Sequence, residues 1–502
     1  MTTGAVAENE EVGKIIIGTR TWIPPQERTT LGLTFDDALV MPAPSGILPK
    51  DTNTRVRLCG DIYLNAPFIS APMDRVTEVR MCIAIGLFGG IGILHREMGR
   101  GATIQAVREV KRFMAGKIKD PVTVRPSQDL ASVRKMRSPY TSFPVTEETG
   151  LVGILTKRDM KGKDGAMTVR QVMTSRDRLV VGHPDISLDD AFAMMRHRRV
   201  EKLPLVDDGN ILLGLVTSRD LDLSKENPNA TIDQEGRLRV GVAVGSKDQE
   251  GMVALVKDLI QVGVDLICID SAHGGHIQIV EATRRLKQEF PELPVIAGNV
   301  ADKASARELL RAGADALRCG IGAGSICTTR VVTGCGVPQL TAVMECRQAV
   351  EELQLDISVI SDGGATEPGH STKGLAYGAS AMMFGNLLAG TDEAPGDKID
   401  TPHGQVKSYR GMGSAAAMKE HGAERYFKDG EGAKLLPEGV DGNVKYKGPV
   451  REQLEELLAG LKSGMGLAGA PTIPDLWRCR IVQVTPAGQR ENRPHNLMSH
   501  EG

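Results

Sequence analysis

Cys327 stands in a run that joins backbone freedom to a nucleophile, hydroxyls and a cation: Gly320-Ile321-Gly322-Ala323-Gly324-Ser325-Ile326-Cys327-Thr328-Thr329-Arg330. A thiolate is a strong nucleophile, but an ordinary thiol with a pKa of about 8.5 is only a few per cent ionised at neutral pH. Arg330, or the start of a helix beside the loop, would supply the positive field that raises this fraction. The competing reading, a buried thiol acting as a small hydrophobe, suits Cys82, Cys268 and Cys319 better, because those three sit in apolar runs.

Two further clusters suggest a partner for that thiol. Ser361-Asp362-Gly363-Gly364 and Gly385-Asn386 combine bare backbone N–H groups, which suit a phosphate, with a carboxylate that can accept both hydroxyls of a ribose. Together they point to a nucleoside monophosphate, although glycines at such places also serve merely to turn the chain. Asp270-Ser271-Ala272-His273-Gly274 and Gly298-Asn299 offer a second acidic position, suited to the ribose of a dinucleotide. No Gly-x-Gly-x-x-Gly fingerprint stands between a strand and a helix, so a dinucleotide would lie on the same scaffold rather than on a Rossmann domain.

The elements that must position these groups show a βα rhythm. Downstream of residue 235, β-branched runs predict strands at Val240–Val244, Asp265–Ile269, Pro294–Ala297, Ala316–Gly320, Ser358–Ser361 and Ala381–Phe384, separated by helical stretches such as Glu250–Val262. Two more strands, Pro67–Ser70 and Gly90–Leu94, flank a helical stretch at Glu78–Leu87. Eight strands of this kind predict an α/β fold, a (β/α)8 TIM barrel whose site is built at the strand C-terminal ends. The Cys327 loop and both glycine pairs fall at such ends.

Between the two groups of strands the texture changes. Phe143-Pro144-Val145, Leu151–Thr156 and Arg158-Asp159 are echoed by Leu203-Pro204-Leu205, Leu212–Thr217 and Arg219-Asp220. This internal repeat marks two similar modules over residues 116–228, inserted into a barrel made of residues 1–115 and 229–502. Asp159 and Asp220 each follow Thr or Ser and Arg, so they suit helix caps as well as a ligand. Residues 401–448 are rich in Gly and charge and poor in periodic apolar residues, which predicts a structureless mobile flap or a disordered segment.

Composition narrows the class. In 502 residues, 25% are charged and 41% hydrophobic, and the formal net charge is -2, which argues against both a membrane protein and a surface-wide nucleic-acid interface. Residues 1–11 lack the basic start and apolar stretch of a signal peptide, so a cytoplasmic protein is expected. The 8 cysteines show neither a disulfide framework nor zinc spacing.

The set of motifs resembles the inosine 5′-monophosphate (IMP) dehydrogenase / GMP reductase family over nearly the whole chain. The marks are Leu33-Thr34-Phe35-Asp36-Asp37, Pro72-Met73-Asp74, the Cys327 loop, Asp362-Gly363-Gly364, Tyr409-Arg410-Gly411-Met412-Gly413-Ser414, Arg425-Tyr426 and Pro437-Glu438-Gly439. The resemblance implies NAD-dependent oxidation of IMP through a covalent adduct on Cys327. Thr329, Arg425 and Tyr426 would prepare the hydrolytic water, with Glu393 as a second proton route. Met73, Ser325, Asp362, Gly363, Gly364, Gly385, Asn386, Tyr409, Gly411, Met412, Gly413 and Glu438 would bind the substrate. Asp270, Ser271, Asn299, Gly320 and Gly322 would bind the cofactor.

It also implies a potassium ion on the carbonyls of Gly322, Gly324 and Cys327, completed by Glu491-Asn492-Arg493 of a neighbouring subunit in a homotetramer. The repeat resembles a tandem CBS (Bateman) domain, in which Asp159 and Asp220 would hold regulatory purine nucleotides such as ATP, GTP or GDP, with octamers as a further assembly. Three places depart from the family: Ala323 where proline is usual, Asn386 where serine is usual, and the segment Ala365–His370. The alternatives are GMP reductase, which needs no water-activating pair and uses NADPH, and a non-catalytic nucleotide sensor. Arg425-Tyr426 and Val331-Val332 favour the dehydrogenase.

Overall fold

Short runs of small and β-branched residues become the strands β1 (Phe68–Ser70), β2 (Ile91–Leu94), β3 (Val240–Val244), β4 (Leu266–Asp270), β5 (Val295–Val300), β6 (Ala316–Cys319), β7 (Ser358–Asp362) and β8 (Ala381–Phe384). They pair in parallel and in chain order, and β8 pairs back on β1 to close a barrel, as the βα rhythm predicts. The structure is a computed structural model and describes residues 29–114, 116–119, 121–136, 142–148, 150–421 and 436–494; the side chains of residues 220, 221 and 421 lie outside that description. The chain divides at Gly32 into two units, and the barrel and its insert belong to the second, Leu33–Gly502.

Every residue of the eight strands is buried except Asp362. Such burial on both faces is why they read as continuous apolar runs rather than alternating ones. Their boundaries shift from expectation where an end residue has other work. Asp265 precedes β4, accepting the Val240 N–H at 2.8 Å and pairing with Lys111 at 2.6 Å. Pro294 precedes β5, where its missing N–H costs no ladder bond. A hairpin, Val56–Cys59 with Ile62–Leu64, covers the N-terminal end of the barrel: Ser358 Oγ donates to the Arg57 carbonyl at 2.7 Å, and the turn glycine Gly60, at φ +54°, abuts Pro294. Helix Val450–Ala468 packs beside Val79–Phe88 and Gly369–Ala376 and so fills the outer layer after β8.

The internal repeat folds as two modules with separate cores. One is built on Val124, Leu130, Val133, Phe143, Val145, Leu155 and Val169; the other on Ala191, Phe192, Met195, Leu203, Leu205 and Val216. The echo is structural as well as textual. Val145 and Leu205, at matching places in the repeat, each form a parallel bridge to an upstream residue, Val124 and Gly182.

The described residues of 401–448 differ from the structureless expectation. Lys398–Thr401, Gly404–Arg410 and Asp441–Lys445 form a three-stranded antiparallel sheet, and Ala415–His421 is a helix. The strands escaped sequence reading because two of them are almost wholly exposed or half-buried, so they need no apolar alternation.

Candidate active site

At the C-terminal end of the barrel, the loops after β1, β4, β6, β7 and β8 line a partly open cavity of about 190 Å³. Cys327, Thr329, Met73, Ser325, Asp362, Gly363, Gly364, Gly385, Asn386, Tyr409, Gly411, Met412, Gly413, Glu438, Ser271, Asn299, Gly320, Gly322 and Gly324 all line it. One wall therefore gathers residues from opposite halves of the chain, which is what a barrel mouth achieves.

Cys327 is half-buried, and its sulfur lies 3.2 Å from Thr329 Oγ1. The other apolar-run cysteines behave as expected for packed thiols: burial pushes Cys268 up to about 12 and raises Cys82 and Cys319 as well. Such groups hold no thiolate at neutral pH. Cys327 is thus set apart by its place on an open wall.

Three backbone segments fix its loop. Thr328 N–H donates to the Glu438 carbonyl at 3.0 Å, Val440 N–H to Ile326 at 3.0 Å, and Glu438 N–H to Gly413 at 2.8 Å. A Cβ on Gly411 or Gly439 would stand 3.1 or 3.2 Å from the Ile326 oxygen, closer than packed chains tolerate without shifting. The Gly-Met-Gly and Glu-Gly motifs are therefore partly struts for the nucleophile.

Arg330, expected to lend its charge to Cys327, is also tied into the loop itself. Its guanidinium donates to the Ile321 carbonyl at 3.2 and 3.3 Å and also to the Val337 carbonyl. Its stem runs through a notch where a Cβ on Gly322 or Gly336 would approach within 2.5 or 2.6 Å. Burial lowers its pKa, and the charge of nearby Cys327 opposes that shift. We expect Arg330→Ala to cut kcat by roughly 10- to 100-fold, since a nucleophile misplaced by about 1 Å costs that order. Steady-state kinetics beside thermal unfolding checks this, and a kcat within twofold of the parent would show that the loop holds its shape without the clamp.

Beneath the cavity lies a group the sequence reading missed. Arg318, on β6 and only 3% exposed, donates to Asp270 Oδ1 at 2.6 Å and to Asp362 Oδ2 at 2.8 Å. The paired carboxylates raise its pKa against the opposing effect of burial. Asn299 Nδ2 donates to the same Asp362 oxygen at 2.8 Å and to the Gly320 carbonyl at 2.9 Å. The clue in the sequence was a lone arginine inside an otherwise apolar strand, where an unpaired charge is too costly to keep.

Of the residues expected at the cavity, Asp270 and Glu393 do not line it, while Asp159 lies in the insert and Glu491, Asn492 and Arg493 in the segment expected to serve a neighbouring subunit. Asp270 is buried against Arg318 and does not line the wall, so a cofactor ribose would have to displace that ion pair to reach it. Glu393 accepts the Val450 N–H at 2.8 Å and caps helix Val450–Ala468. Asp159 accepts both the N–H and the hydroxyl of Thr156 at 2.8 Å, closing a capping box, as the simpler reading supposed. Glu491, Asn492 and Arg493 lie at the end of helix Pro486–Glu491, with Arg493 paired to Glu367 at 2.9 Å. Arg425, Tyr426 and the Asp220 side chain lie outside the described residues.

Burial pushes the Tyr409 phenol up, keeping it protonated, and Gly385 leaves just enough room for it: a Cβ there would stand 3.0 Å from the Tyr409 hydroxyl and 3.2 Å from Met73 Sδ. A neutral donor, an anion-friendly glycine rim, a carboxylate held by two donors and a half-buried thiol thus share one cavity. The family model described as "IMP dehydrogenase / GMP reductase domain" matches residues 32–495. The chain belongs to the IMP dehydrogenase / GMP reductase family.

Among relatives of this family, the chain is 43% identical over 474 residues to inosine-5′-monophosphate dehydrogenase of Aquifex aeolicus, covering 93% of this chain and 96% of that one. It is 42% identical over 490 residues to the enzyme of the same name from Mycobacterium tuberculosis, covering 94% and 91%. Among solved structures, a cysteine-to-alanine GMP reductase from Trypanosoma brucei in complex with guanosine 5′-monophosphate superposes with a TM-score of 0.87 at 36% identity, covering 95% of this chain and 100% of that one. GMP reductase from the same organism in complex with guanosine 5′-triphosphate gives 0.77 at 33% identity, covering 92% and 99%. In this family architecture the insert accompanies the barrel in the structural match, since the coverage is nearly complete.

Proposed function

We propose that the chain oxidises IMP to xanthosine 5′-monophosphate with NAD. The observation that carries this reading is that Cys327 lines the same cavity as Gly363-Gly364, Gly385-Asn386 and Asp362. Phosphate on the rim and ribose at Asp362 would put the purine beside the thiol. The Cys327 thiolate attacks C2 of the purine, hydride leaves C2 for the nicotinamide, and a thioimidate joins carbon to sulfur. Water then attacks the same carbon and the thiol departs.

Thr329, 3.2 Å from the sulfur, is suited to orient that water. Arg425 and Tyr426 are assigned its activation by family resemblance. Asn299 and Arg318 hold Asp362 in one orientation, which a diol acceptor needs. Similarity to relatives named dehydrogenases, at 43% against 36% for the reductase structure, favours oxidation over reductive deamination.

The carbonyls of Gly322, Gly324 and Cys327 would be the loop's ligands for a potassium ion, since carbonyl ligation is indifferent to side-chain identity and the Gly324 carbonyl keeps a second lone pair beside its bond from Cys327 N–H. Its charge would steady the nucleophile loop, with Glu491, Asn492 and Arg493 of a neighbouring subunit in a homotetramer. The insert is assigned as a tandem CBS domain taking regulatory purine nucleotides. Among the described residues no helix is long and apolar enough to cross a membrane, and a cytoplasmic enzyme is proposed.

Measuring NADH formation from IMP beside NADPH consumption with GMP tests the assignment. Turnover in the first assay is expected, and activity in the second alone would make the chain a reductase.

A further inference from the structure

His370 belongs to the segment that departs from the family form, and the chemistry above gives it no task. It sits in the first turn of helix Gly369–Ala376, 3% exposed, directly behind the anion rim. Its Nδ1 accepts the Thr366 N–H at 3.1 Å, and Thr366 lines the cavity. On one face the ring stacks on Phe35, with centroids 4.9 Å apart and planes 7° from parallel.

Phe35 in turn reaches the rim. A Cβ on Gly364 would stand 3.3 Å from the Phe35 ring, so the phenyl is wedged between Gly364 and His370. The Phe35 carbonyl is held by Lys373 Nζ at 2.8 Å. Gly363 and Gly364, both at positive φ, therefore end in a loop fastened from behind by one imidazole acceptor and one phenyl wedge.

An acceptor at Nδ1 requires the neutral ring. Burial, aided by Lys373 and Arg493 and opposed by Glu367 and Asp36, holds the imidazole below its ordinary range, so it is neutral at pH 7.

We propose that His370 is a positioning residue for the substrate phosphate: by accepting the Thr366 N–H it fixes the Gly363–Thr366 loop in its anion-receiving shape. The inference rests on the reading of that loop as the phosphate rim.

The test compares His370→Phe, which keeps a flat ring but loses the acceptor, with His370→Asn, whose Oδ1 takes the place of Nδ1. In the full chain, His370→Phe is expected to raise KM for IMP by up to about tenfold, the order of one lost hydrogen bond to the Thr366 N–H. Its kcat and KM for NAD should stay within about twofold, and His370→Asn should restore KM for IMP. Should the Phe variant not fold, His370→Leu serves the same comparison. An unchanged KM for IMP in a variant lacking the acceptor, or an Asn variant as impaired as the Phe one, overturns the proposal. So does an equal loss in kcat and in both KM values. The unsubstituted protein separates the two ideas: if it does not oxidise IMP the functional reading fails, whereas an unaltered KM in an active variant removes only the role of His370.

Discussion

Cys327→Ala is expected to abolish turnover, lowering kcat by about 10⁴-fold or more, the scale on which loss of a covalent nucleophile is felt. The side chain is half-buried on the cavity wall and makes its one side-chain hydrogen bond to Thr329, so truncation should leave the barrel intact. Three observations check the result together: NADH formation falls to background, thermal unfolding is unchanged, and mass spectrometry of the parent quenched during turnover finds a purine nucleotide adduct on the peptide containing Cys327. The adduct must vanish in the variant. Residual activity within a hundredfold of the parent would remove Cys327 from the covalent step.

Arg318→Met should have the largest effect on stability, about 3–5 kcal/mol, because it strands two carboxylates that the arginine now bridges. Asp270 is almost wholly buried and Asp362 has 14% of its side chain exposed, so neither regains full hydration when the cation goes. The expected measurement is a lower urea midpoint for barrel unfolding. Asp270→Asn added to Arg318→Met should recover part of the loss, since it removes one of the stranded charges, and the double-mutant cycle reads that coupling. A loss below about 1 kcal/mol would mean that water or another cation replaces the guanidinium. Turnover should fall as well, since Asp362 loses one of the two donors that orient it.

The barrel was legible in the residues because every one of its strands is a buried parallel strand, and burial on both faces writes an unbroken apolar run. The insert was legible because a duplicated module must repeat its own core: Phe143-Pro144-Val145 and Leu203-Pro204-Leu205 do the same work twice. The sheet within 398–445 was not, since solvent-facing strands place no demand on side-chain type. The partners of Arg330 and Asp270 were not legible for a related reason. A charged residue near a nucleophile or at a strand end looks free in one dimension, whereas its partners, Ile321 and Val337 in one case and Arg318 in the other, are chosen by folding.

The sequence by itself determined the scaffold, the candidate nucleophile and the glycine rim, because backbone freedom, thiol chemistry and apolar periodicity are properties of residue type and order. Tertiary structure alone decided which charges are spent on one another. It placed Asp362 under Asn299 and Arg318 and set Glu393 against the first N–H of helix Val450–Ala468. Such pairings join residues tens of positions apart, and only the closing of the barrel brings their atoms within hydrogen-bond reach.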